Sequence, residues 1–504
     1  MPTRISGFSS GLDIESLVTK LMKAERAPMD KLEQKKYTLQ YKREDYLKVN
    51  TQLAALQKKA SSFKLTSTIN KMTAEVTGDT SGVSVSTTPS TTAASYTVKV
   101  NQVATRSSVT SGTLIKDPTF DPTKSLASQS SSLTGALTSD GTDAVDYSFK
   151  INGVEITVDA DKESMNDVIS KINNSQAGVT AVFDKNSGQI NLQSKTEGLV
   201  NGVNKDGNQI TFTDGTVGDT TSFITGILKI DPATVTIAQG AEIQVNGITM
   251  KSNTNDFNVN GLKITAKTKD ASVTINAKRD VDAMVTNIKD FIQSFNDTLT
   301  LMNTEYDEKH NRNYNPLTKE QRNDMTENDA KLWDEEAKKG MLYRDSTLSK
   351  MRNDLKSATI TEFTATGSST YTTLGSIGIS TTSWRDKGIL TVDETKLRQA
   401  LENDPDAVVS MFTNSSTVDE EKGLAYRLYD SVTATIKSIK EKAGYSSTEE
   451  DESSLGKQMR NISRKMADWE VTLNSRENAY YARFTAMEKA MQKYQSQMSQ
   501  IGLG

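Results

Sequence analysis

Cysteine is absent from the 504-residue chain, which excludes disulfide staples, thiolate nucleophiles and cysteine-ligated zinc. Histidine is nearly absent too. The single one, His310, sits in the polar stretch DEKHNRN and reads as a solvated loop residue, so a catalytic triad or a histidine-ligated metal lacks its raw material. No apolar run approaches the roughly 18 residues needed to span a bilayer. Asp13 and Glu15 occupy the place where a secretory signal would need its apolar segment. An excess of one charge is also lacking: 60 basic side chains face 64 acidic ones, for a net charge of −4. That balance gives no reason to expect nucleic acid or an anionic membrane as a partner, and without a spanning run no membrane insertion is expected. Walker A and dinucleotide-binding glycine motifs do not occur. DADKE (159–163) and DKNSG (184–188) look faintly like calcium loops, but neither reaches the glycine and glutamate that complete one, and both read as ordinary turns. A carboxylate-only hydrolase is the one enzyme class left open, and no spacing supports it. The sequence therefore predicts no catalytic residue, no cofactor and no metal.

What is there falls into three zones. Residues 1 to about 75 are helical in pattern and contain only Gly7 and Gly11. Residues 78–279 hold 17 of the 29 glycines, many Ser, Thr, Asn and Val, and no tryptophan. From 280 onward the pattern is mostly helical again, with Trp333, Trp384 and Trp469. The length suggests roughly three or four domains. Helical ends around a β middle are not an alternation of βαβ units. The expected class is therefore α+β multidomain: a terminal coiled coil or helical bundle built from both chain ends, with β-rich antiparallel hairpin domains inserted between.

At the start, Asp13 is placed to cap a helix whose apolar residues are Ile14, Leu17, Val18, Leu21 and Met22, a single stripe. Pro28 should end or kink that helix. Three to four turns are marginal alone in water, so this stripe needs a partner. Further on, Tyr46, Val49, Leu53, Leu56, Ala60 and Phe63 recur at spacings of three and four. Leu32 and Leu39 extend the row thinly backwards, beside Lys35 and Lys42. The third zone opens with Val281, Val285, Ile288, Ile292, Phe295, Leu299, Met302 and Tyr306, a sustained heptad seam, and Leu348, Met351, Leu355 and Ala358 follow. These middle stripes read as the core of an intrachain bundle.

In the last helix Met459, Met466, Leu473, Tyr480, Met487, Tyr494 and Ile501 recur every seventh residue. The companion row is Ile462 and Trp469 up to Arg476, then Phe484, Met491 and Met498. The frame thus shifts by four residues near 476–483, a stutter, and Arg476 stands where an apolar residue is expected. Two segments with different partners, or one partner met at a changed supercoil, would produce this. The Met and Tyr of the end segment suit a loosely packing surface. Two charge runs complete the helical zones. EQKKYTLQYKRED (33–45) reads as a solvated helical face, with an acidic partner as the sharper alternative, and TEEDES (448–453) reads as an acidic loop before the last helix.

The β zone repeats a pattern: FKINGVEI (149–156), IQVNGITM (243–250) and FNVNGLKI (257–264). Asn-Gly supplies the two positive-φ positions of a type I′ turn between alternating flanks, which predicts three hairpins. SMNDVISKINNSQAG (164–178) predicts a short helix with Met165, Val168, Ile169 and Ile172 on one side, followed by strands at VTAVFD and QINLQS.

Together these segments resemble the bacterial flagellar filament-capping family, hook-associated protein 2. The start GFSSGLDIESLVTKLMKAERAP carries the family's G-L-D-I, an amphipathic run, and Glu25 and Pro28 of its E-x-x-P. FKINGVEIT with the helix ending KIN is similar to the flagellin-type IN module. VNGITMKSNTNDFNVNGLKITA, TLGSIGISTTSWRDKGILTVDETKLRQALENDPDAVVSMF (373–412) and the final YYARFTAMEKAMQKYQSQMSQIGLG match in order. The Ser/Thr-rich stretch 105–140 conforms least.

The resemblance implies a non-enzymatic cap at the filament tip that promotes flagellin polymerisation and prevents loss of subunits. It implies export unfolded by the flagellar type III route without a cleaved signal peptide, and an extracellular location on the flagellum. The implied partners are other copies of the chain in a ring, usually a pentamer, flagellin, hook–filament junction proteins, and an export chaperone at the C-terminal helix. It implies flexible legs (1–44 with 475–504), a helical bundle (45–76 with 280–474), a proximal β domain (77–115 with 235–279) and an outer α+β domain (116–234). On this reading Ile14, Leu17, Val18, Leu21, Met22, Tyr480, Phe484, Met487, Met491, Tyr494, Met498 and Ile501 form the assembly interface of the legs. The bundle seam would be Tyr46, Val49, Leu53, Leu56, Val285, Ile288, Ile292, Phe295, Leu299, Met459, Ile462, Met466 and Trp469. A hook–filament junction protein or a flagellin-like filament subunit, which shares helical ends around a β middle, is the alternative.

Overall fold

The computed structural model describes residues 13–135, 137, 147–199, 209–214, 222–364, 371–445, 451–500 and 502. In chain order the helices are α1 (Ile14–Glu25), α2 (Ala27–Phe63), α3 (Thr66–Ile69), α4 (Met165–Asn174), α5 (Val281–Asp307), α6 (Lys319–Asn323), α7 (Glu327–Lys338), α8 (Ser346–Ile360), α9 (Glu394–Asn403), α10 (Pro405–Thr413), α11 (Leu424–Ala443) and α12 (Ser454–Gln500). Two compact units result: Met1–Lys71 with Val281–Gly504, and Met72–Asp280.

The first unit is helical. Asp13 caps α1 by accepting the Ser16 amide at 2.9 Å. The break expected at Pro28 falls at Arg26, between α1 and α2, with the proline in the first turn of α2, where its missing N–H costs nothing. The core is one continuous apolar cluster. It takes Tyr46, Val49, Leu53, Leu56, Ala60 and Phe63 from α2, and Val285, Ile288, Ile292, Phe295, Leu299 and Met302 from α5. Leu348, Met351, Leu355 and Ala358 come from α8. A stripe not singled out in the sequence, Leu424, Leu428, Val432, Ile436 and Ile439 of α11, completes it. Here Phe63 stacks on Phe291 with ring centroids 4.3 Å apart, and Phe412 meets both rings edge-on.

The second unit is antiparallel β structure around two cores. In the first, the strands order as 72–78, 272–279, 94–102, 241–245 and 248–252, beside a three-stranded sheet of 256–259, 262–266 and 83–86. In the second, strands 108–110, 189–194 and 179–184 form one sheet, 154–158, 147–151 and 212–214 another, with α4 against them. The Asn-Gly pairs of all three repeat copies turn hairpins, with positive φ at Asn152, Gly153, Asn246, Gly247, Asn260 and Gly261. The helix predicted at 164–178 is α4, entered through a capping box between Ser164 and Asp167. The Ser/Thr-rich stretch is not merely outer decoration. Val109, Leu114, Phe120, Leu126 and Leu133 are buried in the second core. Because Ala104 still belongs to the first core, the chain crosses between them near 105–108, ahead of residue 115. The polar composition conceals this because each large apolar residue is isolated among serines and threonines.

Candidate assembly interface: the terminal helices

The first and last helices meet within one subunit. α1 packs on α12, burying Ile14 and Val18, while Leu17 and Met22 are half-buried and Leu21 stays 37% exposed. On α12, Tyr480, Phe484, Met487 and Met491 are half-buried; Tyr494 is 71% and Met498 51% exposed. Ile501 lies outside the described residues, as do 1–12. The stripes that the sequence predicts are thus brought together along α1, and the seam of α12 emerges into solvent toward its end.

The stutter has a polar explanation. Glu25, the last residue of α1, accepts a hydrogen bond from the Tyr480 hydroxyl at 2.9 Å and forms an ion pair with the Arg476 guanidinium. Arg476 also lies 5.7 Å from the centroid of the Trp469 ring. An apolar residue at 476 would leave the Glu25 carboxylate without its cation. The hydrogen bond from Tyr480, with the hydrogen bond and charge of Arg476, outweighs desolvation and holds the Glu25 carboxyl below its ordinary range.

Of the predicted bundle seam, Tyr46, Val49, Leu53, Leu56, Val285, Ile288, Ile292, Phe295 and Leu299 lie in the main core. Met459 and Ile462 are buried outside it, and Met466 and Trp469 are half-buried. Only Leu455 of α12 joins that core. Beyond it α12 runs along α2 outside that core.

The run 33–45 is not a solvated face. Glu33, Tyr41 and Arg43 are buried, and the partners are intrachain. Glu33 accepts the Lys319 amide at 3.0 Å, the Tyr41 hydroxyl faces Asp334 at 3.3 Å, and Glu44 pairs with Lys338 at 3.3 Å. These contacts clasp α6 and α7 onto α2. Arg43, with no exposed side-chain surface, donates to the Ala443 carbonyl at 2.7 Å and pairs with Asp451. It therefore joins the end of α11 to the acidic stretch before α12, which reads in the sequence as a plain loop. Partners separated by about 290 to 400 positions leave no mark in local spacing.

One turn on, the Tyr46 hydroxyl donates to Asp345 at 2.6 Å, and Lys442 donates to Tyr46 and Thr347 at 2.9 and 2.6 Å. Burial works to raise the Asp345 carboxyl, but Tyr46, Lys442, the Leu348 amide and Lys42 outweigh it and hold it below its ordinary range.

Asp45 has the opposite balance. Burial, then Glu305, Glu308 and Glu44, push its carboxyl up to about 7 despite Lys48. A raised folded-state value means that ionising Asp45 works against folding. The penalty is absent at low pH and grows as pH rises from about 4 to about 7. Asp45→Asn should therefore stabilise the helical unit by about 2 kcal/mol at pH 8, allowing for solvent screening, and by little near pH 4. Urea titrations of both proteins at several pH values measure this; an advantage that does not shrink with falling pH contradicts it.

With this geometry in place, comparison with known proteins gives a consistent family. A family model described as "Flagellar hook-associated protein 2 C-terminus" matches residues 238–496, its N-terminal counterpart matches 10–107, and "Flagellin hook IN motif" matches 139–196. The chain belongs to the flagellar hook-associated protein 2 family. A relative of that name from Halalkalibacterium halodurans is 28% identical over 99% of both chains. One from Thermotoga maritima is 31% identical over 70% of this chain and 54% of its own. The crystal structure of the D1-D2-D3 domains of the Escherichia coli flagellar cap protein aligns with a TM-score of 0.50 at 17% identity, covering 79% of this chain and 96% of that one. At that identity the alignment speaks for a shared multidomain fold. Among the described residues no helix is long and apolar enough to cross a membrane.

Proposed function

We infer that this protein is the structural cap at the tip of the bacterial flagellar filament, where it promotes flagellin polymerisation and prevents loss of subunits. The observation that carries the reading is the ordered match of hook-associated protein 2 models to both ends of the chain, together with a relative of that name aligned over almost its whole length. The role is non-enzymatic. The chain works as a homo-oligomeric ring, a pentamer, bound to flagellin, exported by the flagellar type III route without a cleaved signal, and met before export by a chaperone at the C-terminal helix. Hook–filament junction proteins are neighbours at the start of assembly. Nothing favours a junction or filament subunit over the cap.

Within the subunit, 1–44 and 475–504 act as legs that release and rebind as each flagellin enters. The partly exposed stripe of α12 ending in Tyr494 and Met498 supports that assignment. Residues 45–76 with 280–474 serve as the bundle that must persist, and the two β cores serve as the plate.

Deleting the gene tests the function. Cells should secrete flagellin into the medium without polymerising it, and added purified protein should restore filaments. Filaments of normal length and number in the deletion strain would rule the reading out.

A further inference from the structure

The junction between α1 and α2 is tied on both sides by adjacent residues. Glu25 reaches α12, through Tyr480 at 2.9 Å and the Arg476 ion pair. Arg26, the next residue, reaches α6 and its own helix, with Glu320 and Asp30 each at 3.3 Å. The backbone between them is already interrupted: α1 ends at Glu25, α2 begins at Ala27, and Pro28 donates no hydrogen bond back into α1. Upstream of this point α1 has only Ile14 and Val18 fully buried, whereas α2 from Tyr46 on is rooted in the main core.

We propose that Glu25 with Arg476 and Tyr480 is an ionic latch that governs release of α1 from α12 about a pivot at Arg26, the Arg26–Glu320 pair holding α2 in place while α1 swings. This deepens the assignment of the chain ends as legs and rests on it. The physical case is one of proportion. A twelve-residue helix is marginal alone, and two buried side chains hold it only modestly, so a charged contact at its end is a sizeable share of its attachment. The latch is solvent-accessible, with Arg476 45% exposed, so it opens without desolvating a charge and responds to salt. It lies at the stutter, which explains why the apolar seam is interrupted at that one place: an all-apolar seam would fix α1 to α12 continuously, while a charged break makes the contact reversible.

The test uses the full-length protein and amide hydrogen exchange of segments 14–25, 28–63 and 477–498, for wild type, Glu25→Gln, Arg476→Glu and the swap Glu25→Arg/Arg476→Glu. The expected result is exchange of 14–25 about three- to tenfold faster in each single variant, unchanged exchange in 46–63, and substantial recovery in the swap. Raising salt from about 0.05 to 0.5 M should accelerate 14–25 in wild type but not in Glu25→Gln. Unchanged exchange of 14–25 in the single variants, or no recovery in the swap, overturns the latch. If 14–25 in wild type is instead as protected as 46–63, the leg assignment itself fails, which is a separate outcome.

Discussion

Replacing Arg43 by alanine should lower the unfolding free energy of the helical unit by about 3–5 kcal/mol, the usual cost of removing one partner from a buried charged pair. The guanidinium has no exposed surface and serves two acceptors at once, the Ala443 carbonyl that ends α11 and the Asp451 carboxylate in the loop before α12. Its loss leaves a helix-terminal carbonyl unpaired and frees the loop that returns the chain along α2. Lysine should not rescue it, because a single ammonium lacks the planar fork that spans both acceptors. All three tryptophans lie in the helical unit, so tryptophan fluorescence during urea unfolding reports on that unit alone. A loss below about 1 kcal/mol would contradict the assigned role.

Phe291→Ala should cost a comparable amount, about 3–5 kcal/mol, by opening a cavity that the surrounding helices cannot collapse to fill. Phe291 is fully buried, stacks on Phe63, and has its centroid 6.2 Å from that of Phe412. One side chain therefore supports α2, α5 and α10 together. Phe291→Leu, which keeps most of the volume, should recover much of the loss. Equal midpoints for Ala and wild type in the same fluorescence experiment would refute the cavity argument.

The two residues differ in how visible they are in the sequence. Phe291 lies one position before Ile292, in a second buried row of α5 that also takes Met284, while the heptad seam passes through Ile288, Ile292 and Phe295. A wider count of apolar residues on α5 would have found it. Arg43 offers no such signal, since a charged residue in a charged run is the pattern of an exposed surface. Asp451 was equally hidden in TEEDES. Glu25 and Arg476 stand between these cases: the break in the seam at Arg476 was legible, but its partner was not, because 451 positions separate them.

The sequence by itself determined the helix–β–helix order, the capped first helix and a break close to Pro28, the three Asn-Gly hairpins, α4 with its following strands, and most of the bundle seam. Each of these depends on periodicity or turn chemistry within about a dozen residues, where steric and hydrogen-bonding preferences act locally. Only the tertiary structure decided which stripe covers α1, that Glu33, Tyr41 and Arg43 within 33–45 are buried on intrachain partners, that 105–133 supplies core residues, and that one acidic side chain, Glu25, ties α1 to α12. Electrostatic partners are chosen by the packing of distant elements. A charge declares its sign in the sequence, but its burial and its counter-ion exist only once the helices that carry them have packed.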